Sequence, residues 1–265
     1  MNGKKKKVKI QPAEVVCAVI SIGAFLGIWH LATLGELGVL MPGPIPVIKK
    51  FIEVLFACGT IGGKTLWGHT AWSLFRVLTG YAIGAVVGIL LGLSMGWSKL
   101  IEAIFSPIFR IIRPIPPIAW IPISIIWIGL GEDAKIFLIF LASFSYCTLN
   151  AWSGVKSVNP ELINASKMLG ANKRQVLFTV ALPATVPSIF AGLQVALSSC
   201  LATVLAAEMV RSSEGLGWII IAGMNNNDMI QIMTGILAIG IVGMLLSTIF
   251  RKVEAVLCRW NRSES

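Results

Sequence analysis

Six stretches of this sequence, at residues 13–34, 75–97, 114–131, 134–153, 184–208 and 229–250, are apolar over about the length that crosses a bilayer. A helix rises about 1.5 Å per residue, so roughly 20 apolar residues traverse a ~30 Å hydrocarbon layer. The chain is 56% hydrophobic and 13% charged, with a mean hydropathy of +0.83. Soluble domains carry about 25% charged residues. The expected fold is therefore an all-α integral membrane protein with about six transmembrane helices. The third window is short and rich in proline, and its ends are the least defined.

The formal charge of +10 would suit nucleic acid, but its distribution points elsewhere. With the N-terminus placed in the cytoplasm, the basic residues outside are Lys49, Lys50, Lys64, Arg76, Lys135 and Arg211, and the rest of the 22 lie inside. The inside set is the N-terminal tail (Lys4 to Lys7, Lys9), the 98–113 loop, the 154–183 loop and the C-terminus (Arg251, Lys252, Arg259, Arg262). Cytoplasmic loops carry the excess of Lys and Arg. Both termini are thus expected in the cytoplasm, and no nucleic-acid partner is needed. The first apolar run exceeds a signal-peptide core and has no A-x-A-like site, so it reads as an uncleaved helix. The cysteines Cys17, Cys58, Cys147, Cys200 and Cys258 never fall in C-x-x-C spacing and read as small packing residues.

Residues 1–60 are expected to hold a cytoplasmic tail, the first helix and an outer amphipathic segment; 61–265 hold a five-helix core with a cytoplasmic loop at 154–183. In the outer segment, Met41 to Pro46 reads as rigid and extended. Val47 to Phe56 then carries Lys49, Lys50 and Glu53 on one side and is expected along the membrane interface. In the second window Gly80, Gly84, Gly88, Gly92 and Gly96 recur every fourth residue, a flat ridge that admits a neighbouring backbone. Pro114, Pro116, Pro117 and Pro122 keep a regular helix from starting before about Pro122. Irregular backbone at that depth must be buried in protein or line a wet cavity, so this segment is expected to be packed.

Motifs for chemistry are missing. Cys58 to Thr65 is similar to a phosphate-binding loop, but its first glycine falls one residue late, at Gly59, and no buried strand precedes it. His30 and His69 have no metal-ligand spacing; His69 reads as interfacial and His30 as near the outer end of the first helix. Neither a catalytic residue nor a cofactor or metal is expected.

The 154–183 loop is more informative. Asn159 and Pro160 are a cap and first turn; Ile163, Ala165, Ser166 and Leu169 form a small, partly apolar face; Gly170 ends the helix. A second helix from Lys173 enters the membrane, with Pro183 at the boundary. Such an elbow suits docking to a partner, with Lys173 and Arg174 at the rim. It also suits an ordinary amphipathic connector.

This string resembles the signature E-A-A-x3-G-x9-I-x-L-P of permease subunits of ATP-binding-cassette importers. Asn164, Ala165, Ser166, Gly170, Val180, Leu182 and Pro183 occupy its places, with Asn164, Ser166 and Val180 departing from it. A narrower resemblance rests on Pro44 to Val47, Arg113 to Pro122, Trp127 to Gly131, Gly154 to Val158, Ala206-Ala207-Glu208 and Gly215-Leu216-Gly217. These strings are similar to the nitrate, taurine, aliphatic-sulfonate and bicarbonate permeases. Ser247 stands where many of that group have an aspartate.

The resemblance implies a type I importer permease fold working as a homodimer. Two ATP-binding-cassette ATPase subunits would drive it, and an extracytoplasmic solute-binding protein would supply it. The contact would be Asn164, Ala165, Ser166, Leu169, Gly170, Lys173, Arg174, Leu182 and Pro183. The solute implied is a small anion, with a thiamine-pyrimidine-like precursor as an alternative within the same mechanism. An ATP-independent secondary transporter is a rival, but the inverted repeats and mid-helix charges it favours are not evident. Polar side chains inside a membrane generally face the bundle interior. Ser143, Ser145, Tyr146 and Asn150, with Gln194, Ser198 and Ser199, are therefore pathway candidates, interhelical hydrogen bonding being the other use for them. Glu208 reads as a gate residue, an interfacial charge or a structural partner.

Overall fold

A computed structural model describes residues 12–35, 38, 41–56, 59–210 and 212–257. The basic cluster Lys4 to Lys7 with Lys9, and also Cys58, Arg211, Cys258, Arg259 and Arg262, lie outside the described residues. Helix α1 (Pro12–Ala32) is apolar on every side, and none of Val15–Ala32 is buried by the rest of the chain. Helix α2 (Pro44–Phe56) starts earlier than the prolines suggested. Pro44 and Pro46 occupy its first turn, where backbone N–H groups have no intrahelical partner to lose. Its apolar side meets protein: Val54 packs with Ile61, Leu66, Leu216, Ile219 and Ala238.

The glycines that imitate a phosphate loop make a hairpin instead. Strands β1 (Thr60–Ile61) and β2 (Lys64–Thr65) pair antiparallel around Gly62 and Gly63, whose φ values of 57° and 83° demand glycine. Thr65 then caps α3 (Leu66–Trp97) by accepting from Gly68 N–H. At 32 residues α3 is about 48 Å long, well beyond the hydrocarbon layer. The apolar window began only at residue 75 because the turns before it carry His69 and Ser73, which fold inward.

Ser98 closes α3 and caps α4 (Lys99–Ile112), an amphipathic helix where a loop was expected. Its Leu100, Ile104, Ile108 and Ile111 are all exposed. A 3-10 turn (Pro117–Trp120) and α5 (Ile121–Ile128) follow, bent from α4 by 87°. The third apolar window is therefore no straight span: eight helical residues reach about 12 Å. Among the described residues, five helices are long and apolar enough to cross a membrane, or six if this bent pair counts as one. The prolines are also less packed than expected. Ile115, Ile118, Ile126 and Trp127 are exposed, because none of the described residues covers them.

Helix α6 (Glu132–Lys156) leads to α7 (Pro160–Met168), then α8 (Lys173–Val176), a π turn (Leu177–Ala181) and α9 (Leu182–Val210). The ladder widens just before Pro183, which has no N–H to close a normal turn. A short α10 (Leu216–Asn225) precedes α11 (Met229–Leu257).

The glycine ridge of α3 meets the backbone of α6. A Cβ at Gly80, Gly84 or Gly88 would stand 2.8, 2.6 and 2.8 Å from the carbonyl oxygens of Ile136, Phe140 and Phe144. Gly92 and Gly96 continue the contact against Ala151 and Val155. On its other side α6 holds α9 through Gly154 beside Ser188 and Gly192 beside Asn150. Val77, Ile139, Ala142, Ala196, Leu197 and Cys200 fill the centre of this three-helix core.

A candidate coupling elbow and the clefts beside it

The elbow is built entirely from local signals. Asn159 Oδ1 accepts from Glu161 N–H at 2.9 Å and starts α7. At the other end Gly170 N–H donates to Lys167 O (2.9 Å) and Ala171 N–H to Ser166 O (3.1 Å). That pair of bonds is a Schellman closure, and it sets Gly170 at φ 84°. Asn172 and Gln175 then cap α8 reciprocally, at 2.8 and 2.9 Å. Two capped helices joined by one left-handed glycine form a stiff knob.

This knob stands clear of the bundle. Asn164, Ala165, Lys173, Arg174 and Pro183 are exposed, Leu182 is half-buried, and Ser166 is half-buried with its hydroxyl on Ile163 O at 2.8 Å. The sequence placed the apolar face on Ile163, Ala165, Ser166 and Leu169. Ile163 and Ser166 instead lean toward the bundle, and the outward apolar tip is Met168 and Leu169, each 89% exposed, with Leu162 beside them. Met168 was missed although it follows Ala165 at i, i+3 and adjoins Leu169.

The polar residues grouped as a pathway separate in space. Tyr146 and Ser145 line a cleft of about 490 Å³ with Arg113 and the Pro114–Pro117 segment. Asn150 sits one turn along, its Nδ2 donating to Tyr146 O (2.9 Å). Gln194 and Ser198 face another cleft, of about 380 Å³, with Ser247, Phe250 and Arg251. Gln194 also pairs with Glu254 of α11. Ser199 is half-buried beside that cleft, outside its lining. Two residues do not fit a pathway in this conformation. Ser143 is wholly buried and donates to Tyr81 O (3.0 Å), so it joins α6 to α3. Glu208 is also wholly buried and faces protein on all sides.

Glu208 belongs to an ionic cluster at the end of the bundle opposite the elbow. Arg76 grips Glu132 of α6 through two nitrogens, Nε and Nη2, while its Nη1 donates to Glu208 Oε1 of α9 (2.7 Å) and Glu214 O (2.9 Å). Ser73 also donates to Glu208 (2.8 Å), and Lys135 to Glu132 (2.9 Å). Lys64 pairs with Glu214. The first amides of α10 are capped in turn: Gly215 N–H by His69 Nδ1 (3.1 Å), Leu216 N–H by Ser73 Oγ (2.8 Å) and Gly217 N–H by Glu208 Oε2 (2.9 Å). A side chain at Gly215, whose φ is 118°, would overlap the Glu208 carboxylate. His69 is thus not interfacial. It is fully buried, stacked on Trp218 at 5.1 Å, with Nε2–H donating to Ile61 O. Arg76 and Lys135, assigned outside the bilayer from charge alone, are buried by their carboxylate partners. The signal available was the polar spacing of His69, Ser73 and Arg76 along one helix face. Among the described residues, no group of His, Cys, Asp and Glu is arranged to hold a metal ion.

The family described as binding-protein-dependent transport system inner membrane component matches residues 84–262. The chain is 34% identical over 250 residues to the taurine transport system permease protein TauC of Escherichia coli (strain K12), covering 94% of this chain and 90% of that one. It is 31% identical over 251 residues to the nitrate import permease protein NrtB of Synechocystis sp., covering 94% and 91%. Among solved structures, an amino acid ABC transporter shares the fold at a TM-score of 0.60 and 15% identity, over 80% of this chain and 96% of that one.

Proposed function

This chain belongs to the inner-membrane components of binding-protein-dependent transport systems, the permease subunits of ABC importers, and we propose that its cargo is a small anion of the taurine, sulfonate, nitrate or bicarbonate type. It is a multi-pass inner-membrane protein and not itself an enzyme; the ATPase is a separate subunit, and the family implies a binding protein as well. The cargo assignment is supported by the relatives that carry taurine and nitrate in their names. Arg113 in the Tyr146 cleft offers an anion a cationic wall.

The observation that carries the mechanism is the exposed, doubly capped elbow. A stiff projection tipped by Met168 and Leu169 fits a groove on an ATPase, and Lys173 and Arg174 supply charge at the rim. Ala165 and Gly170 keep the contact slim, while Asn164 offers an amide where the family signature has a carboxylate. Two copies of the chain pair, with both termini in the cytoplasm, and each engages one ATPase. Closure of the ATPases drives the elbows together and turns the bundle between its two openings. The solute passes along Tyr146, Asn150, Gln194 and Ser198.

The test is uptake into proteoliposomes holding this permease, its ATPase and its binding protein. The expected result is vanadate-sensitive accumulation of one of these anions, lost when residues 159–172 are replaced by a flexible linker. Accumulation that ignores both vanadate and the replacement would overturn the reading, and uptake of a neutral pyrimidine alone would overturn the cargo.

A further inference from the structure

Helices α6 and α9 are the two that carry the elbow, because the chain enters it from Lys156 and leaves it at Leu182. Their opposite ends carry Glu132 and Glu208, and a single side chain from a third helix holds both. Arg76 forks onto Glu132 and reaches Glu208 at 2.7 Å, and only 2% of its side chain is exposed. The same Glu208 carboxylate caps α10 through Gly217 N–H (2.9 Å) and accepts from Ser73 (2.8 Å). The two helices are therefore joined at one end by the elbow and pinned at the other by Arg76, with the glycine ridge of α3 alongside.

We propose that Arg76, Glu132 and Glu208 are positioning residues for transport: they pin the far ends of the elbow-bearing helices so that α6, α9 and α10 turn as one frame. The inference rests on the reading of the chain as an ATP-driven permease. A force applied at the elbow can be absorbed in two ways. If the far ends are free, α6 and α9 splay apart and the displacement fades along them. If they are pinned, the displacement reaches the opposite face and carries α10 with it. The pin suits that task because Arg76 and Glu208 are desolvated and their donors and acceptors are matched, so opening it would strand a buried charge. A cluster serving stability alone would not need to bridge these two helices at their ends remote from the elbow.

The measurement is solute taken up per ATP hydrolysed, in proteoliposomes holding the complete complex. Glu132→Gln is the gentler variant, because that side chain is 41% exposed. Glu208→Gln keeps the size and the acceptor for Gly217, and Arg76→Lys keeps the charge without the fork. Expected is hydrolysis within twofold of wild type, with uptake per ATP reduced by about fivefold or more in each variant that assembles. The Glu132→Gln/Glu208→Gln pair should be little worse than the poorer single change, since either one opens the same frame. A role in stability alone would lower the amount of assembled complex and leave the ratio unchanged. If Glu208→Gln does not assemble, Glu132→Gln decides: an uptake-to-hydrolysis ratio equal to wild type overturns the pin. Lack of ATP-coupled uptake by the wild-type complex would instead overturn the permease reading on which the pin rests.

Discussion

Truncating the tip of the elbow separates docking from folding more cleanly than any other change in this chain. Met168 and Leu169 are each 89% exposed, so neither Met168→Ala nor Leu169→Ala removes packing from the free permease. Surface changes of that kind alter stability by less than about 0.5 kcal/mol. If the tip is buried in an ATPase groove, each truncation forfeits most of the burial of a Leu or Met side chain, about 1.5–3 kcal/mol. At 1.4 kcal/mol per tenfold, affinity for the ATPase falls about ten- to hundredfold per variant. Leu162→Ala, at 54% exposed and farther from the tip, should cost less. Leu100→Ala, 71% exposed on α4, is the control and should cost nothing. The assay is binding of the ATPase subunit to permease held in nanodiscs, with thermal unfolding of the free permease measured in parallel. Wild-type affinity in both tip variants would refute the docking geometry, and so would a fall in melting temperature large enough to explain the lost binding.

Three further changes probe other parts of the argument. Gly170→Pro should leave ATP hydrolysis running while abolishing uptake, because φ 84° and the Gly170 N–H bond to Lys167 are both denied to proline; normal uptake would remove the elbow as a lever. Gly84→Ala puts a Cβ 2.6 Å from Phe140 O, where about 3.3 Å is the normal approach, so α3 and α6 must part by about 0.7 Å. The cost is about 1–3 kcal/mol and the melting temperature should fall roughly 2–4 °C for each, whereas Gly27→Ala on α1 meets nothing and should be neutral. Arg113→Gln should raise KM for an anionic solute about fivefold, the worth of one contact charge under water-like screening, and lower salt should widen the gap.

Features that depend on the chain's own periodicity were readable from sequence. The four-residue glycine spacing foretold a close neighbour for α3, because α6 carbonyls stand where they would come within 3 Å of any Cβ on that ridge. Asn159, Pro160 and Gly170 are cap and terminator in the folded elbow because those residues act within one turn of themselves. Features that depend on long-range partners were not readable. Arg76 counted as an outside cation since its two carboxylates lie 56 and 132 residues away in sequence, and Glu208 could not be told from a gate. Ser143 joined a pathway on polarity alone, though its hydroxyl is taken up by Tyr81 O. Hydropathy also overstated the third window. It sums apolar residues and cannot see that the prolines between Arg113 and Pro122 leave that window only a 3-10 turn and the short α5, bent 87° from α4.

The surfaces left open have a common cause. Among the described residues, the chain leaves bare most of α1, the outward side of α5 and the tip of the elbow, and all three are apolar. Lipid satisfies α1 and part of α5 without any protein partner, since hydrocarbon is as good a neighbour as leucine. It cannot satisfy Met168 and Leu169 in the same way, because Lys167 adjoins them in the chain and Lys173 and Arg174 begin the next helix. An apolar tip flanked in the chain by cations and fixed by two caps costs less in a protein groove than in either water or lipid. The ionic pin at the other end of the same two helices has the opposite character, with its charges paired inside the chain and needing no partner. A machine that takes work from another polypeptide at one end requires that asymmetry: an unfinished surface where force enters, and a finished joint where it must arrive undiminished.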